Sequence, residues 1–321
     1  MIIITGAAGF IGSALVAYFN EKKIYDAVLV DNFDTPFRFR NLAWKHYAKT
    51  ISRDELKPFI ADNQEDIKAI IHLGAKSGYI HDGWAEQKIE ALELHQFLWN
   101  FSVKNQSSFI YASTGSVYGD GELGFSDDDT TTFQLKPSHP YAQIRVEIDK
   151  WSLSQNETPP FWAGLRMSNV FGPNEYHKMS NASIIYKAYN EIISYNTMRL
   201  FASDRKEYEN GGVKRDFIYV KDIVKIIYFF IENLPESGIY NIATGKSESF
   251  ISIITSIFKE LRLAPRFEFE PISPALKDSF PYDVELPIDK LISTGYNQGI
   301  TPTYDAIKEY LEKYLMKGEF Y

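Results

Sequence analysis

The chain has 321 residues, 45% of them hydrophobic, which is enough for one large domain and a smaller one. Its formal net charge of −8 argues against a general nucleic-acid binder, and the absence of cysteine excludes thiol catalysis, disulfides and cysteine-ligated zinc. We see neither an N-terminal signal pattern nor an apolar run long enough to cross a bilayer, so we expect a cytoplasmic protein without membrane segments.

The first predicted element is a buried strand, followed by a glycine-rich turn and a helix. The apolar run at residues 2–4 precedes Gly6, Gly9 and Gly12. Gly6 permits a sharp turn, Gly9 lets a pyrophosphate approach the helix N-terminus, and Gly12 lets the helix pack on the strand. A second apolar run ends in Asp31, whose carboxylate suits the ribose hydroxyls of an adenosine. The pattern predicts a dinucleotide-binding βαβ unit rather than a nucleotide-free one, with the cofactor contacts Gly6, Gly9, Phe10, Ile11, Gly12, Asp31 and Asn32.

Basic residues follow this unit, and the next clear strand pattern covers residues 69–75. Such charges usually form a solvated face. Beside an adenosine, however, Arg38 and Arg53 would neutralise a ribose 2′-phosphate, which favours NADP over NAD. The strand pattern ends in small residues that let a cofactor approach the backbone closely, which adds Leu73, Gly74 and Ala75 to the predicted cofactor site. His72 is expected to be a core histidine rather than a catalytic one.

Hydroxyl groups and a Tyr–Arg pair follow the strand predicted at residues 108–112. Thr114 and Ser116 come at the carboxyl end of that strand, where open α/β sheets bind ligands. Tyr141 and Arg145 lie four residues apart on one face of a predicted helix. Hydride removal from a secondary alcohol needs a base for the hydroxyl proton, and a nearby cation favours the phenolate that such a base requires. We predict Tyr141, Arg145 and Thr114 as catalytic residues. A polar loop cap and a merely packed tyrosine are the alternatives.

The pair Gly172 and Pro173, after the sixth strand pattern, marks the predicted domain boundary. We expect an α/β fold in which a Rossmann-type, doubly wound parallel sheet binds NADP, with a smaller α/β substrate domain. The first domain would contain residues 1–170, 214–242 and 281–297, and the second residues 171–213, 243–280 and 298–321. The strand–helix–strand pattern within residues 215–242 is expected to return to the large sheet.

Several motifs of the chain recur together in one protein family. They are residues 5–12, 111–113, 117–119, Tyr141 with a basic residue four later, residues 166–173, residues 215–220 and Asp222. With these motifs, nearly the whole chain resembles the extended short-chain dehydrogenase/reductases that act on nucleotide sugars. Within that group it is most similar to the ADP-L-glycero-D-manno-heptose 6-epimerases. The residues that carry this closer resemblance are 30–33, 41–42, His177, Lys178, Ser180, Ala182, Ser183, 238–241, Gly245 and 248–250.

The resemblance implies the conversion of ADP-D-glycero-D-manno-heptose to ADP-L-glycero-D-manno-heptose, a step of lipopolysaccharide biosynthesis. A hydride would leave C6″ for tightly bound NADP and return to the other face, with Tyr141 and Lys178 as opposed acid/base groups. The resemblance also implies that the chain forms a homo-oligomer, specifically a pentamer. Arg215 would bind the substrate's phosphates. The full set of implied substrate contacts is Ser116, Asn169, Ser180, Lys187, Phe201, Arg215 and Phe280.

The chain departs from the family pattern where Arg145 replaces a lysine, Thr114 a serine and Lys187 a histidine. Two alternatives stay open. One is another NAD(P)-dependent nucleotide-sugar epimerase or reductase. The other is a catalytically weak regulatory protein that binds nucleotides, which Arg145 favours. A 4,6-dehydratase is disfavoured, because Gly115 and Ser116 stand where such relatives carry an Asp-Glu pair.

Overall fold

The fold is taken from a computed structural model that describes residues 1–33, 36–74, 84–137, 139–272 and 281–321, without the side chain of residue 37. The strands are β1 (Ile2–Thr5), β2 (Ala27–Val30), β3 (Lys49–Ile51), β4 (Ala69–His72), β5 (Ser108–Thr114), β6 (Trp162–Met167), β7 (Asn169–Phe171), β8 (Met198–Ala202), β9 (Lys214–Tyr219), β10 (Gly238–Ile242), β11 (Ser247–Ser249), β12 (Phe267–Pro271) and β13 (Asp283–Val284). Seven of these strands form the main sheet, in the order β3-β2-β1-β4-β5-β6-β10, with every neighbouring pair parallel.

Helices cover both faces of this sheet. The helices of the described residues are α1 (Phe10–Glu21), α2 (Pro36–Leu42), α3 (Leu56–Asp62), α4 (Trp84–Lys104), α5 (Asp129–Thr132), α6 (Pro140–Leu153), α7 (Ile184–Tyr195), α8 (Val220–Asn233) and α9 (Phe250–Glu260), followed by Asp289–Ser293 and Thr303–Glu309. One core cluster joins α1 and α8 to the sheet, and a second joins α4 and α6 to it. Strands covered on both faces are apolar throughout, as β2 is, which explains the unbroken hydrophobic runs of the sequence.

The predicted fold class is confirmed, because the main sheet is doubly wound and reverses its order between β1 and β4. Two smaller sheets lie beyond it: β9 pairs with β7, β11 and β13, and β8 pairs with β12. Within the described ranges, no helix is both long and apolar enough to span a membrane.

The pattern at residues 215–242 returns to the main sheet through one of its two strands. β10 pairs with β6 there, whereas β9 runs beside β7 in a smaller sheet, so the expectation that both strands continue the main sheet is wrong for β9. The reason is that β7 begins two residues after β6 ends and offers its edge to β9. The division of the chain into two domains stays a prediction.

Candidate active site

The glycine-rich turn between β1 and α1 is too tight for side chains at two of its positions. Gly6 has φ +68°, and a Cβ there would lie 2.7 Å from the Gly74 Cα atom. A Cβ at Gly12 would lie 2.2 Å from the Gly6 carbonyl oxygen. Without these side chains, α1 packs against the turn and β1 lies directly beside the end of β4. The turn therefore leaves a backbone cradle at the N-terminus of α1, which is where a pyrophosphate would bind.

A cleft of about 710 Å³ opens at the carboxyl edge of the main sheet, next to this turn. It joins the turn, the end of β2, the start of α6 and the segment after β7. The predicted site residues that line it are Gly6, Gly9, Phe10, Ile11, Gly12, Asp31, Asn32, Arg38, Arg53, Leu73, Gly74, Thr114, Tyr141, Arg145 and Lys178. Ala75 lies outside the described residues. One cleft thus contains the predicted cofactor residues of the described chain and all four predicted catalytic residues.

Two arginines and two carboxylates face each other at one end of the cleft. Asp31 is 6% exposed and accepts hydrogen bonds from the Ala8 amide at 2.9 Å and from Arg38 Nη1 at 2.7 Å. Arg53 Nη2 donates to Glu90 Oε1 at 2.6 Å. Both arginine side chains remain 37% exposed. A 2′-phosphate at this end would meet two cations, and it would compete with the carboxylates for them.

Tyr141 and Arg145 lie at the other end of the cleft, on the first turns of α6. The Arg145 guanidinium carbon stands 5.3 Å from the centroid of the Tyr141 ring. Arg145 is 4% exposed, and its Nη1 donates to the Ala112 carbonyl at 3.3 Å. Its Nε is buried and has no hydrogen-bond partner among the described residues. The open Nε leaves a donor for a bound ligand beside the phenol of Tyr141.

Lys178 reaches the cleft from the helical turn Tyr176–Asn181. Its Nζ lies 5.2 Å from the centroid of the Phe10 ring, at the start of α1. Burial lowers the pKa of Lys178, Lys187 lowers it further, and Glu175 opposes both. The cleft therefore holds a desolvated amine besides the phenol of Tyr141, and such an amine loses its proton more readily than a solvated lysine.

His72 also lines the cleft, but its contacts are those of a core residue. It is 3% exposed, and its Nδ1 lies 2.7 Å from the Thr5 hydroxyl. Burial lowers the pKa of His72 to about 3, and Arg145 and Arg53 contribute to the shift. The ring therefore stays neutral near pH 7, which fits the core histidine expected from the sequence.

The predicted substrate residues lie outside the lining of this cleft, and Phe280 lies outside the described residues. The predicted substrate residues that do not line the cleft are Ser116, Asn169, Ser180, Lys187, Phe201 and Arg215. Asn169 is nevertheless flanked by Ser168 and Val170, which do line the cleft, and its amide donates to the Asp216 carbonyl at 3.1 Å. Burial lowers the pKa of Arg215 to about 10. Asn169, Phe201 and Arg215 lie on strands of the smaller sheets, and the role of all these residues in binding substrate stays a prediction.

One buried polar residue, Asn41, supports the site although the sequence predicted no role for it. Asn41 on α2 is 1% exposed, and its amide donates to the Ala8 carbonyl at 3.0 Å and to the Asn174 carbonyl at 3.2 Å. The same nitrogen lies 3.2 Å from His177 Nδ1. Asn41 thus ties the glycine-rich turn to the segment that carries Lys178. No local pattern could have indicated this, because Asn174 and His177 lie 133 and 136 residues further along the chain than Asn41.

Comparison with known proteins agrees with this arrangement. A sequence model of the NAD dependent epimerase/dehydratase family matches residues 2–243. The ADP-L-glycero-D-manno-heptose-6-epimerase of Nitratidesulfovibrio vulgaris is 36% identical over 321 residues, which cover 99% of both chains. Among solved structures, the UDP-N-acetylglucosamine 4-epimerase of Methanobrevibacter ruminantium is similar with a TM-score of 0.82, at 21% identity over 99% of this chain and 98% of that one. The Helicobacter pylori ADP-L-glycero-D-manno-heptose-6-epimerase is similar with a TM-score of 0.79, at 22% identity over 97% and 95%.

Proposed function

The chain belongs to the NAD-dependent epimerase/dehydratase family, and from this premise we propose that it converts ADP-D-glycero-D-manno-heptose to ADP-L-glycero-D-manno-heptose at C6″. One observation carries the proposal: Tyr141 and Lys178 line the same cleft as the glycine-rich turn. The full-length relative at 36% identity supports this choice of sugar over the other substrates of the family. NAD(P), when bound, supplies the atom that accepts the hydride and returns it.

In this proposal, the residues of the chain position the sugar and move its protons. Tyr141 accepts the C6″ hydroxyl proton of one epimer, and Arg145 places its cation 5.3 Å from the centre of the Tyr141 ring. Lys178 serves the other epimer, and burial favours the neutral amine that this role requires. Thr114, whose hydroxyl lies 3.3 Å from that of Ser116, holds the reacting oxygen. Around them, the residues assigned to the sugar nucleotide are Asn169, Ser180, Lys187, Phe201, Phe280, and Arg215 for its phosphates.

Removing each acid/base group in turn tests the proposal. Tyr141→Phe should slow oxidation of one epimer by about 10²–10⁴-fold, because no acceptor remains for its hydroxyl proton. Lys178→Met keeps most of the stem and removes the amine, so it should slow the other epimer and leave cofactor affinity nearly unchanged. Net epimerisation is followed by NMR of the C6″ configuration. Because net epimerisation uses both groups from either side, the oxidation of each epimer is also measured by itself, as the reduced nicotinamide formed on mixing with protein that holds the oxidised cofactor. Lys308→Met, on an exposed face away from the cleft, is the matched control.

Each alternative has its own outcome in this assay. If the Lys178→Met variant epimerises at the parent rate, Lys178 is a binding residue and the two-base mechanism is wrong. Turnover of a different sugar nucleotide, with none of ADP-heptose, would indicate another epimerase or reductase of the family. Tight binding of cofactor and sugar nucleotide without any turnover, even after Arg145→Lys, would indicate the regulatory protein.

The cofactor is proposed to be NADP rather than NAD, because Arg38 and Arg53 both line the cleft at the Asp31 end. Asp31 and Glu90, the carboxylates that these two arginines contact, would repel a 2′-phosphate. The preference for NADP should therefore depend on the two arginine cations. Replacing both arginines by alanine should weaken NADP far more than NAD, measured by calorimetric titration. Equal losses for the two cofactors would contradict the assignment. The control is Arg199→Ala, whose side chain is 56% exposed and pairs with Glu191.

The assembly and location of the protein also rest on resemblance. We propose a cytoplasmic homo-oligomer, a pentamer, as the family resemblance implies. Light scattering of the purified protein would test the subunit number, and a monomer at micromolar concentration would contradict it.

A further inference from the structure

The segment that carries Lys178, residues 172–183, is closed on itself by one buried side chain. We call this segment the Lys178 loop. Glu175 is fully buried, at 0% exposure, and both of its carboxylate oxygens are used within or beside the loop. Oε1 accepts hydrogen bonds from the Gly172 amide at 3.1 Å and from the Ser183 hydroxyl at 2.8 Å, and Oε2 accepts from the Ser183 amide at 2.6 Å. The first and last residues of the loop are therefore held by the same carboxylate.

A fourth hydrogen bond ties this carboxylate to the C-terminal part of the chain. The Tyr310 hydroxyl donates to Glu175 Oε1 at 3.2 Å. Burial raises the pKa of Glu175, whereas the donors at Ser183 and Gly172 and the charge of Lys178 lower it. All four of its partners donate, so the ionised carboxylate, which only accepts, satisfies each of them. A neutral amide of the same size would place an N–H group against one of these donors.

Lys178 stands between the two ends that Glu175 holds. Its backbone amide donates to the Glu175 carbonyl at 2.9 Å, and its Nζ lies over the Phe10 ring. The charged groups that face its amine are Glu175 within the loop and Lys187 on α7, while α1 presents the uncharged ring of Phe10. Among these, Glu175 is the one that favours the protonated amine. The same carboxylate thus holds the segment around Lys178 and opposes the burial that lowers the pKa of its amine.

We propose that Glu175 is a positioning residue for the acid–base reaction, because its buried carboxylate holds both ends of the Lys178 loop and so keeps the amine at its place in the cleft. This inference rests on the proposed role of Lys178 as the second acid/base group. A purely structural role for Glu175 would change stability alone. A positioning role also changes the turnover number and the titration of Lys178.

The test is Glu175→Gln, which keeps the side-chain size and removes the charge. We expect kcat to fall about 10- to 100-fold, since small displacements of a catalytic group have effects of this size, while KM and cofactor affinity change less than twofold. Loss of the negative charge should also move the pH midpoint for acetylation of Lys178 to lower pH, because the amine then loses its proton more readily. This midpoint is measured in the resting protein by acetylation with acetic anhydride and peptide mass spectrometry. Glu175→Asp should restore the midpoint in part.

Asp222→Asn is the matched control, because Asp222 is also 0% exposed and accepts from Thr301 and Lys225, but does not line the cleft. It should lower stability without moving the Lys178 midpoint. If Glu175→Gln alters stability as this control does, and leaves both kcat and the midpoint unchanged, the inference is overturned. An active Lys178→Met variant would instead overturn the proposed role of Lys178 as the second acid/base group, whatever Glu175→Gln does. The two failures are therefore distinguishable.

Discussion

At the scale of single residues, Arg145 carries a charge inside the protein without a carboxylate partner among the described residues. It is 4% exposed, its hydrogen bond goes to the neutral carbonyl of Ala112, and its Nε has no partner in the described chain. The nearby imidazole of His72 is held neutral by burial, so it supplies no counter-charge. A buried cation of this kind loses its hydration without full compensation. We infer that Arg145 serves the bound ligand and Tyr141, and that its charge lowers the stability of the cofactor-free protein.

Arg145→Met should therefore separate stability from activity. Removing the uncompensated charge should raise the unfolding free energy of the cofactor-free protein by about 1–3 kcal/mol, as measured by urea denaturation. The same variant should lose epimerisation, because the phenol of Tyr141 then lacks its cation. Arg145→Lys serves as the comparison, since it restores the residue of the family and should hold or raise the activity. An Arg145→Met protein that is less stable than the parent would show that the guanidinium has a structural partner.

Residues with a local signature could be assigned to the cleft from the sequence, and residues without one could not. Gly6 comes just before α1 and Gly12 lies in its first turn, at the spacing of a known motif, and Tyr141 and Arg145 share one helical face, so the sequence indicates both pairs. Glu175 is a carboxylate among polar neighbours, and nothing in that stretch indicates that it is fully buried. Its partners at Gly172, Ser183 and Tyr310 become visible only when the chain is folded.

At the scale of elements, α6 connects the cleft to the most buried ion pair of the described chain. Asp149 lies two turns after Tyr141 and accepts from Arg166 Nε on β6 at 2.9 Å, with both side chains 0% exposed. The Tyr111 and Ser113 hydroxyls of β5 also donate to Asp149. These bonds fix the rotation of α6 on the sheet, and that rotation directs Tyr141 and Arg145 toward the cleft. The sequence predicts the helix and the face that carries Tyr141 and Arg145. The hydrogen bonds of Asp149 depend on which strands lie beside α6, and helical periodicity does not specify those strands.

The choice of strand partners explains why β10 was assigned correctly and β9 was not. β9 begins with three charged residues and ends in three apolar or aromatic ones, whereas β10 carries no charge. Each pattern predicts a strand beside α8, but neither indicates which strand is its neighbour. β10 pairs with β6 of the main sheet, and β9 pairs with β7 in the smaller sheet that carries Arg215. Which strands pair depends on which strand edges are free to form hydrogen bonds. The sequence of a strand indicates mainly which of its side chains are buried. The smaller sheet, and with it the substrate side of the site, was therefore the least predictable part of the fold.

At the scale of the whole molecule, buried histidines beneath the cleft link folding to pH. His72 is 3% exposed and His95 is 0% exposed, with its Nε2 2.9 Å from the Ser152 hydroxyl. Burial lowers the pKa of both, that of His72 to about 3. Below the ordinary pKa of histidine, these two side chains bind protons in the unfolded chain but stay neutral in the folded one. The contribution of these two histidines to stability therefore falls as the solution is acidified, each over the interval between its unfolded and its folded pKa.

Replacing His72 should make stability less dependent on pH. With a pKa near 6.5 in the unfolded chain and about 3 in the folded one, this group contributes about 2 kcal/mol less stability at pH 5 than at pH 7. His72→Gln keeps a polar contact with Thr5 and does not titrate, so its unfolding free energy should fall by about 2 kcal/mol less than that of the parent over the same interval. Urea denaturation of both proteins at pH 7 and pH 5 gives the comparison. Equal losses in the parent and in His72→Gln would mean that His72 takes up its proton in the folded protein, and the neutral core beneath Arg145 would then be wrong.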